Sequence, residues 1–359
     1  MPKWIFPILF VLALALGVWL VIGVGEGPLV VSAAKLAVAL VLLILGADCM
    51  VHGAVVLARQ LGVSPFFIGV TVVAFGTSAP ELAASIGAAL DGAGELAIGN
   101  VLGSNIANIC LILGVTAMIK PVPVDRSIWR VDAPIMLAIT IAASFTMLDR
   151  FWNPAATIGR LDGALLVTGL IAYIWYNAKA GKIDPKEIEH DVEIEMGDSM
   201  IADPATAGKA LSSLKPILLV AIGLAGLILG AKLLVDGARS IAVAVGVSET
   251  IIGLTIVAFG TSIPELVFSA RAAMKNHPEI AIGNIIGSNV FNILSVLGIA
   301  ALARPIVIPV EAVRRDIWVV WGATAVCLVM MKTQRRVSRS EGAALLVGYL
   351  AYTAYLYLS

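Results

Sequence analysis

Two short stretches carry the side chains best suited to chemistry. They read Gly76-Thr77-Ser78-Ala79-Pro80-Glu81 and Gly260-Thr261-Ser262-Ile263-Pro264-Glu265. Each sets two hydroxyls and a carboxylate around a proline near the middle of an apolar run. Proline lacks an N–H and its ring clashes with the carbonyl four residues back, so it breaks a helix. The upstream glycine loosens the same turn. Carbonyl oxygens freed at membrane depth are tolerated only inside protein or against a wet cavity. Hydroxyl, carbonyl and carboxylate oxygens together are the donor set that hard cations prefer.

Glu81 and Glu265 also pose a charge problem, because a bare carboxylate in hydrocarbon is costly. Residues 65–90, 96–119 and 280–302 contain no Lys or Arg, and in 249–274 the one Arg, Arg271, stands at the far end. A mobile cation is the natural counter-charge. The alternatives are carboxylates that are protonated or satisfied by hydroxyls and serve packing, or that carry protons alone.

A second element follows each break: Gly99-Asn100-x-x-Gly103-Ser104-Asn105-x-x-Asn108, and its twin with Gly283, Asn284, Gly287, Ser288, Asn289 and Asn292. Ser104 and Asn108 are one helical turn apart and share a face, as do Ser288 and Asn292. These four read as cation oxygens stacked toward the glutamate helices. For Asn100, Asn105, Asn284 and Asn289, coordination and amide bonding between helices stand level, and the glycines let a neighbouring helix come close.

Elements of membrane length must position these groups. Hydrophobic residues make up 60% of the 359 and charged residues 13%, about half the charge of a soluble domain. The apolar runs fall at about 4–24, 30–59, 65–90, 96–119, 130–148, 161–178, 215–244, 249–274, 280–302, 316–332 and 341–357, and each approaches or exceeds the length that crosses the hydrocarbon. The fold class is an all-α polytopic membrane protein. The first run is too long for a signal-peptide core and lacks a clear cleavage site, so it reads as a retained helix. Zero net charge gives no nucleic-acid surface, and nothing indicates a protein partner. Cys49, Cys110 and Cys327 lie far apart in apolar segments and read as buried thiols. No phosphate-binding loop and no cofactor motif is present.

Residues 64–118 align without a gap on 248–302 at an offset of 184, with 29 of 55 positions identical. Each repeat holds five spans, an odd number, so the second must sit inverted in the membrane. The expected organisation is an extra N-terminal helix (1–29), a first repeat (30–178), an acidic linker (179–214) and a second, inverted repeat (215–359). Counted by side, Lys and Arg divide 16 to 7. The positive side is normally cytoplasmic, which puts the N-terminus and the linker inside a plasma (cell inner) membrane and the C-terminus outside. Asp48, His52, Lys232 and Asp236 read as structural or interfacial residues, with Lys232 and Asp236 able to pair along one helix face. Arg130-Val131-Asp132 and Arg314-Arg315-Asp316 read as helix starts.

GTS-x-PE followed by GN-x-x-GSN, given twice, resembles the α-repeats of the calcium/cation antiporter superfamily, most closely its prokaryotic sodium/calcium exchanger type. The resemblance covers about 30–357. It implies secondary exchange of Ca²⁺ for Na⁺ by alternating access, not an enzyme, with four cation sites clustered at the membrane midplane. The implied ligands are the Ala74 carbonyl, Thr77, Ser78, Glu81, Ser104 and Asn108, with Ala258, Thr261, Ser262, Glu265, Ser288 and Asn292 from the second repeat. H⁺ in place of Na⁺ is the first rival reading, and a passive cation channel the second. This chain departs from some members in having Asn at both 108 and 292. Its site therefore holds two carboxylates, which balance one Ca²⁺ or two Na⁺.

Overall fold

The computed structural model describes residues 5–22, 29–148, 153, 156–181, 214–246, 258–310 and 312–358. Nearly all of the predicted linker, and the start of the predicted span 249–274, lie outside them. Twelve helices of more than one turn are described: α1 (Ile5–Ile22), α2 (Leu29–Leu61), α3 (Pro65–Thr77), α4 (Ala79–Leu90), α5 (Gly94–Ile119), α6 (Ile128–Leu148), α7 (Arg160–Ala180), α8 (Lys215–Ala244), α9 (Ile263–Met274), α10 (Pro278–Ala303), α11 (Ala312–Gln334) and α12 (Arg339–Leu358). Seven of them are long and apolar enough to cross a membrane alone, and the bent pair α3–α4 makes an eighth. The other three predicted spans fall on α1, on α9 and on the 20-residue α12.

Local sequence sets the helix starts. Ser64 caps α3 by accepting from the Phe67 N–H at 3.1 Å, with Pro65 in the first turn. Asp162 and Glu341 reach back to the backbone N–H groups of Gly159 and Ser338, each at 2.8 Å, at the starts of the final helices of the two repeats.

The inversion shows in which loops meet. Strand β1 (Val122–Pro123) pairs antiparallel with β4 (Arg336–Val337), and β2 (Thr157–Ile158) with β3 (Ile306–Val307). Arg304 donates to the Leu90 carbonyl at 2.7 Å, and Lys120 hydrogen-bonds Asn276. Residues 120–123, 276 and 336–337 therefore share one face, and 90, 157–158 and 304–307 share the other. Helix α5 runs from the second face to the first, whereas its twin α10 runs from the first to the second.

Both repeats also lend their last helix to the other half. A Cβ on Gly114 of α5 would lie 2.9 Å from the Gly342 carbonyl oxygen of α12, and one on Gly163 of α7 would lie 2.6 Å from the Gly298 oxygen of α10. Backbones this close require glycine at the contact. The two longest helices, α2 and α8, cross at a similar seam, where a Cβ on Gly46 would meet the Gly223 oxygen at 2.8 Å. Helix α1 packs on this pair through Phe10, Ala13 and Leu20. The central core is built mainly on α5 and α10, with α3, α4, α6, α7, α11 and α12 contributing to it.

Candidate cation site

The predicted helix breaks are present and nearly superimposable in conformation. Ser78 sits at φ −82°, ψ 5°, between α3 and α4, which bend by 44°. Ser262 sits at φ −87°, ψ 0°, between a short turn (Ala258–Gly260) and α9. Both lie in the sparsely allowed bridge region. Each break turns Pro and Glu into the first turn of the next helix.

Glu81 is 1% exposed and Glu265 2%. The Ser78 hydroxyl donates to Glu265 Oε1 at 3.4 Å, so the break of the first repeat contacts the carboxylate of the second. Among the described residues, Glu81 Oε2 and Glu265 Oε2 have no hydrogen-bond partner, and neither do Thr261 Oγ1, Ser288 Oγ, Asn289 Oδ1 or Asn292 Oδ1. Among the described residues no ion pair involves either glutamate. Unpaired buried oxygens of this kind are unfavourable unless something supplies them with charge or donors.

Of the remaining predicted ligands, Thr77, Ser104, Asn108 and Ser262 are buried as well. The Ala74 carbonyl keeps its helical bond from the Ser78 N–H at 3.0 Å and also accepts from the Thr77 hydroxyl at 3.5 Å. Ala258 opens the short turn before Ser262. Among the described residues, the Ser104 and Asn108 side chains make no hydrogen bond to the glutamates. Asn108 and Asn292 both lie where the helix widens to π geometry, at Ala107–Leu113 and Asn292–Leu297. Such bulges are frequent at functional sites. The motif spacing gave no sign of them.

Asn100 and Asn284 hold helices together. Asn100 Nδ2 donates to Ser85 Oγ at 2.9 Å and Asn284 Nδ2 to Ser269 Oγ at 3.0 Å, bolting α4 to α5 and α9 to α10 in the same way. Ser85 and Ser269 escaped the sequence reading, although they share the repeat offset. Between the repeats, α10 lies tightly on α3, where a Cβ on Gly287 would be 2.6 Å from the Val70 carbonyl oxygen. That approach lets Thr77 donate to Asn284 Oδ1 at 3.1 Å.

Away from the site, Asp48 of α2 takes two bonds from Arg271, at 2.8 and 2.7 Å, and lies 3.3 Å from Lys275. It is structural, as its position suggested. Lys232 and Asp236 form no ion pair among the described residues. The Lys232 side chain points outward, while Asp236 is half-buried. Asp316 accepts from Tyr352 at 2.9 Å and from Arg315 at 2.6 Å, tying α11 to α12. His52 is exposed.

Inverted five-helix halves, broken helices and a buried oxygen-rich centre define a multi-pass membrane transporter of the antiporter class, not an enzyme. The sodium/calcium exchanger protein family matches residues 31–179 and 215–358. The chain belongs to that family. It is 32% identical over 339 residues to the sodium/calcium exchanger MaX1 of Methanosarcina acetivorans, covering 89% of this chain and 96% of that one. It is 33% identical over 332 residues to the inner membrane protein YrbG of Escherichia coli, covering 92% and 98%. The solved sodium-calcium exchanger NCX_Mj, in crystals soaked with Na⁺ and Ca²⁺, superposes with a TM-score of 0.75 at 32% identity, covering 90% of this chain and 97% of that one.

Proposed function

We propose that the chain exchanges Ca²⁺ for Na⁺ by alternating access, binding the ions in turn at the membrane midplane between the two breaks. The observation that carries this reading is the pair of buried carboxylates, each with an unpartnered oxygen, among further unpartnered hydroxyl and amide oxygens. The ligands are Thr77, Ser78, Glu81, Ser104 and Asn108 with the Ala74 carbonyl, and Thr261, Ser262, Glu265, Ser288 and Asn292 with the Ala258 carbonyl. Two carboxylates neutralise one Ca²⁺, and on its release they demand equivalent charge, which couples the return step to a second ion. The relatives named for sodium and calcium favour Na⁺ in that role. Helices α2 and α8 meet along a glycine seam and are the elements that slide across the core to open each side.

Proteoliposomes loaded with Na⁺ and diluted into ⁴⁵Ca²⁺ test the coupling. Uptake driven by an outward Na⁺ gradient is expected. Uptake driven only by an outward H⁺ gradient makes the protein a Ca²⁺/H⁺ exchanger, and uptake needing no counter-gradient makes it a channel.

An extra helix (1–29) precedes the first repeat (30–178), and a linker (179–214) that faces the cytoplasm of the cell inner membrane joins it to the second (215–359). Cysteine probes in the linker should label from inside and probes at the C-terminus from outside. Labelling of both from one side would contradict this orientation.

A further inference from the structure

We infer that Asn105 is a positioning residue that sets which way round the Asn292 amide is held in the cation site. The inference rests on the cation-site reading above.

An amide head has a right and a wrong way round for a cation, since one end is an oxygen and the other an NH₂. A carboxylate has two oxygens and needs no such orientation. Asn292 carries an amide, so this chain must orient it. Asn292 Nδ2 donates to Asn105 Oδ1 at 3.1 Å. Asn105 is fixed in turn, because its Nδ2 donates to the Asn289 carbonyl at 3.2 Å. With its NH₂ turned to that carbonyl, Asn105 turns its Oδ1, an acceptor, toward Asn292. Asn292 must answer with its NH₂, which leaves Oδ1 on the far side of its amide, buried and without a partner.

The twin arrangement is absent among the described residues. Asn289, equivalent to Asn105, turns its Nδ2 to the Ile285 carbonyl of its own helix at 2.7 Å. The Asn108 side chain makes no hydrogen bond among the described residues. The device therefore serves one side of the site only, and it crosses the repeats, with Asn105 of the first holding Asn292 of the second.

A double-mutant cycle read by equilibrium ⁴⁵Ca²⁺ binding to the full-length chain in detergent tests this. In the native background, Asn105→Leu should raise half-saturating Ca²⁺ roughly three- to ten-fold, the worth of one net hydrogen bond. In an Asn292→Asp background the same change should shift it less than about two-fold, because a carboxylate presents oxygen either way. A purely structural role would give equal shifts in both backgrounds. That result, or no shift in the native background, overturns the proposal. Asn105→Ala is run alongside, so that a leucine variant that fails to fold leaves the cycle readable. Glu81→Gln serves as the control on the underlying reading. If it binds Ca²⁺ like the native chain, the cation site itself is misplaced. If it loses binding while the cycle shows no coupling, only the role of Asn105 is wrong.

Discussion

The two repeats share their break, their glutamate and their asparagine bolt, yet the helices that flank them do not match. Asp48 on α2 is clamped by Arg271 and Lys275, and α2 lies along α9. At the equivalent positions of the other half stand Lys232 on α8, Asp91 at the end of α4 and, for Arg271, Gly87, so the Asp–Lys charges are reversed and the arginine has no counterpart. Lys232 and Asp91 are both exposed, and α8 makes no comparable contact with α4. The breaks and the Asn–Ser bolts match between the halves, and the contacts of the flanking long helices do not. The contact that ties a long helix to the helix after the break is therefore made in one half, at Asp48.

The sharpest way to break the comparison is at the carboxylates. Glu81→Gln and Glu265→Gln should each abolish Ca²⁺ exchange, a loss of about 100-fold or more, since a lost contact to a charged group at this depth is worth at least roughly 3 kcal/mol. Gln preserves shape, so detergent-solubilised variants should remain monodisperse. Equal loss in the two variants means a shared site. A variant that transports normally would assign the whole charge to its twin.

The clamp comes next. Asp48→Asn leaves Arg271 and Lys275 without their partner and should loosen α2 from α9. Neighbouring Cys49 is buried, so in a chain lacking Cys110 and Cys327 its maleimide labelling rate reports that contact. We expect an increase of roughly ten-fold, in keeping with a partly buried pair of about 1–2 kcal/mol. An unchanged rate would make the pair ornamental.

The smallest effect separates the two asparagine bolts. Asn284 is fully buried and also accepts from Thr77, whereas Asn100 is half-buried and its second bond, to the Glu81 carbonyl, is 3.3 Å long. Asn284→Ala should therefore cost about 1 kcal/mol more stability than Asn100→Ala. Thermal unfolding in detergent measures the difference, and equal melting temperatures would show that the extra bond carries no weight.

Much of this architecture was legible beforehand because proline and repetition leave strong local marks. The breaks at Ser78 and Ser262 follow from Pro80 and Pro264, and the inversion follows from five spans recurring. What stayed hidden depends on pairings across the repeats. Nothing in the order of residues says that Asn105 meets Asn292, or that Ser78 reaches Glu265, since neither pair shares a helix or a period. The π-helical widening at Asn108 and Asn292 is likewise a response to packing, with no composition of its own. Ser85 and Ser269 were recoverable from the shared offset but look like ordinary small residues in a helix. Lys232 and Asp236 show the converse. Favourable spacing on a helix does not make a pair when one side chain has an easier way out.

The exchanged last helices bear on how the protein is made. Helix α7 leaves the ribosome long before its seat on α10 exists, and α5 must wait for α12, the last helix in the described chain. Neither half can finish packing during its own synthesis. The glycine faces of α5 and α7 pass that interval against lipid or a chaperone. A ribosome that stalls after the linker would leave a half-transporter with two open flanks, recognisable to membrane quality control by the contacts it has not yet made.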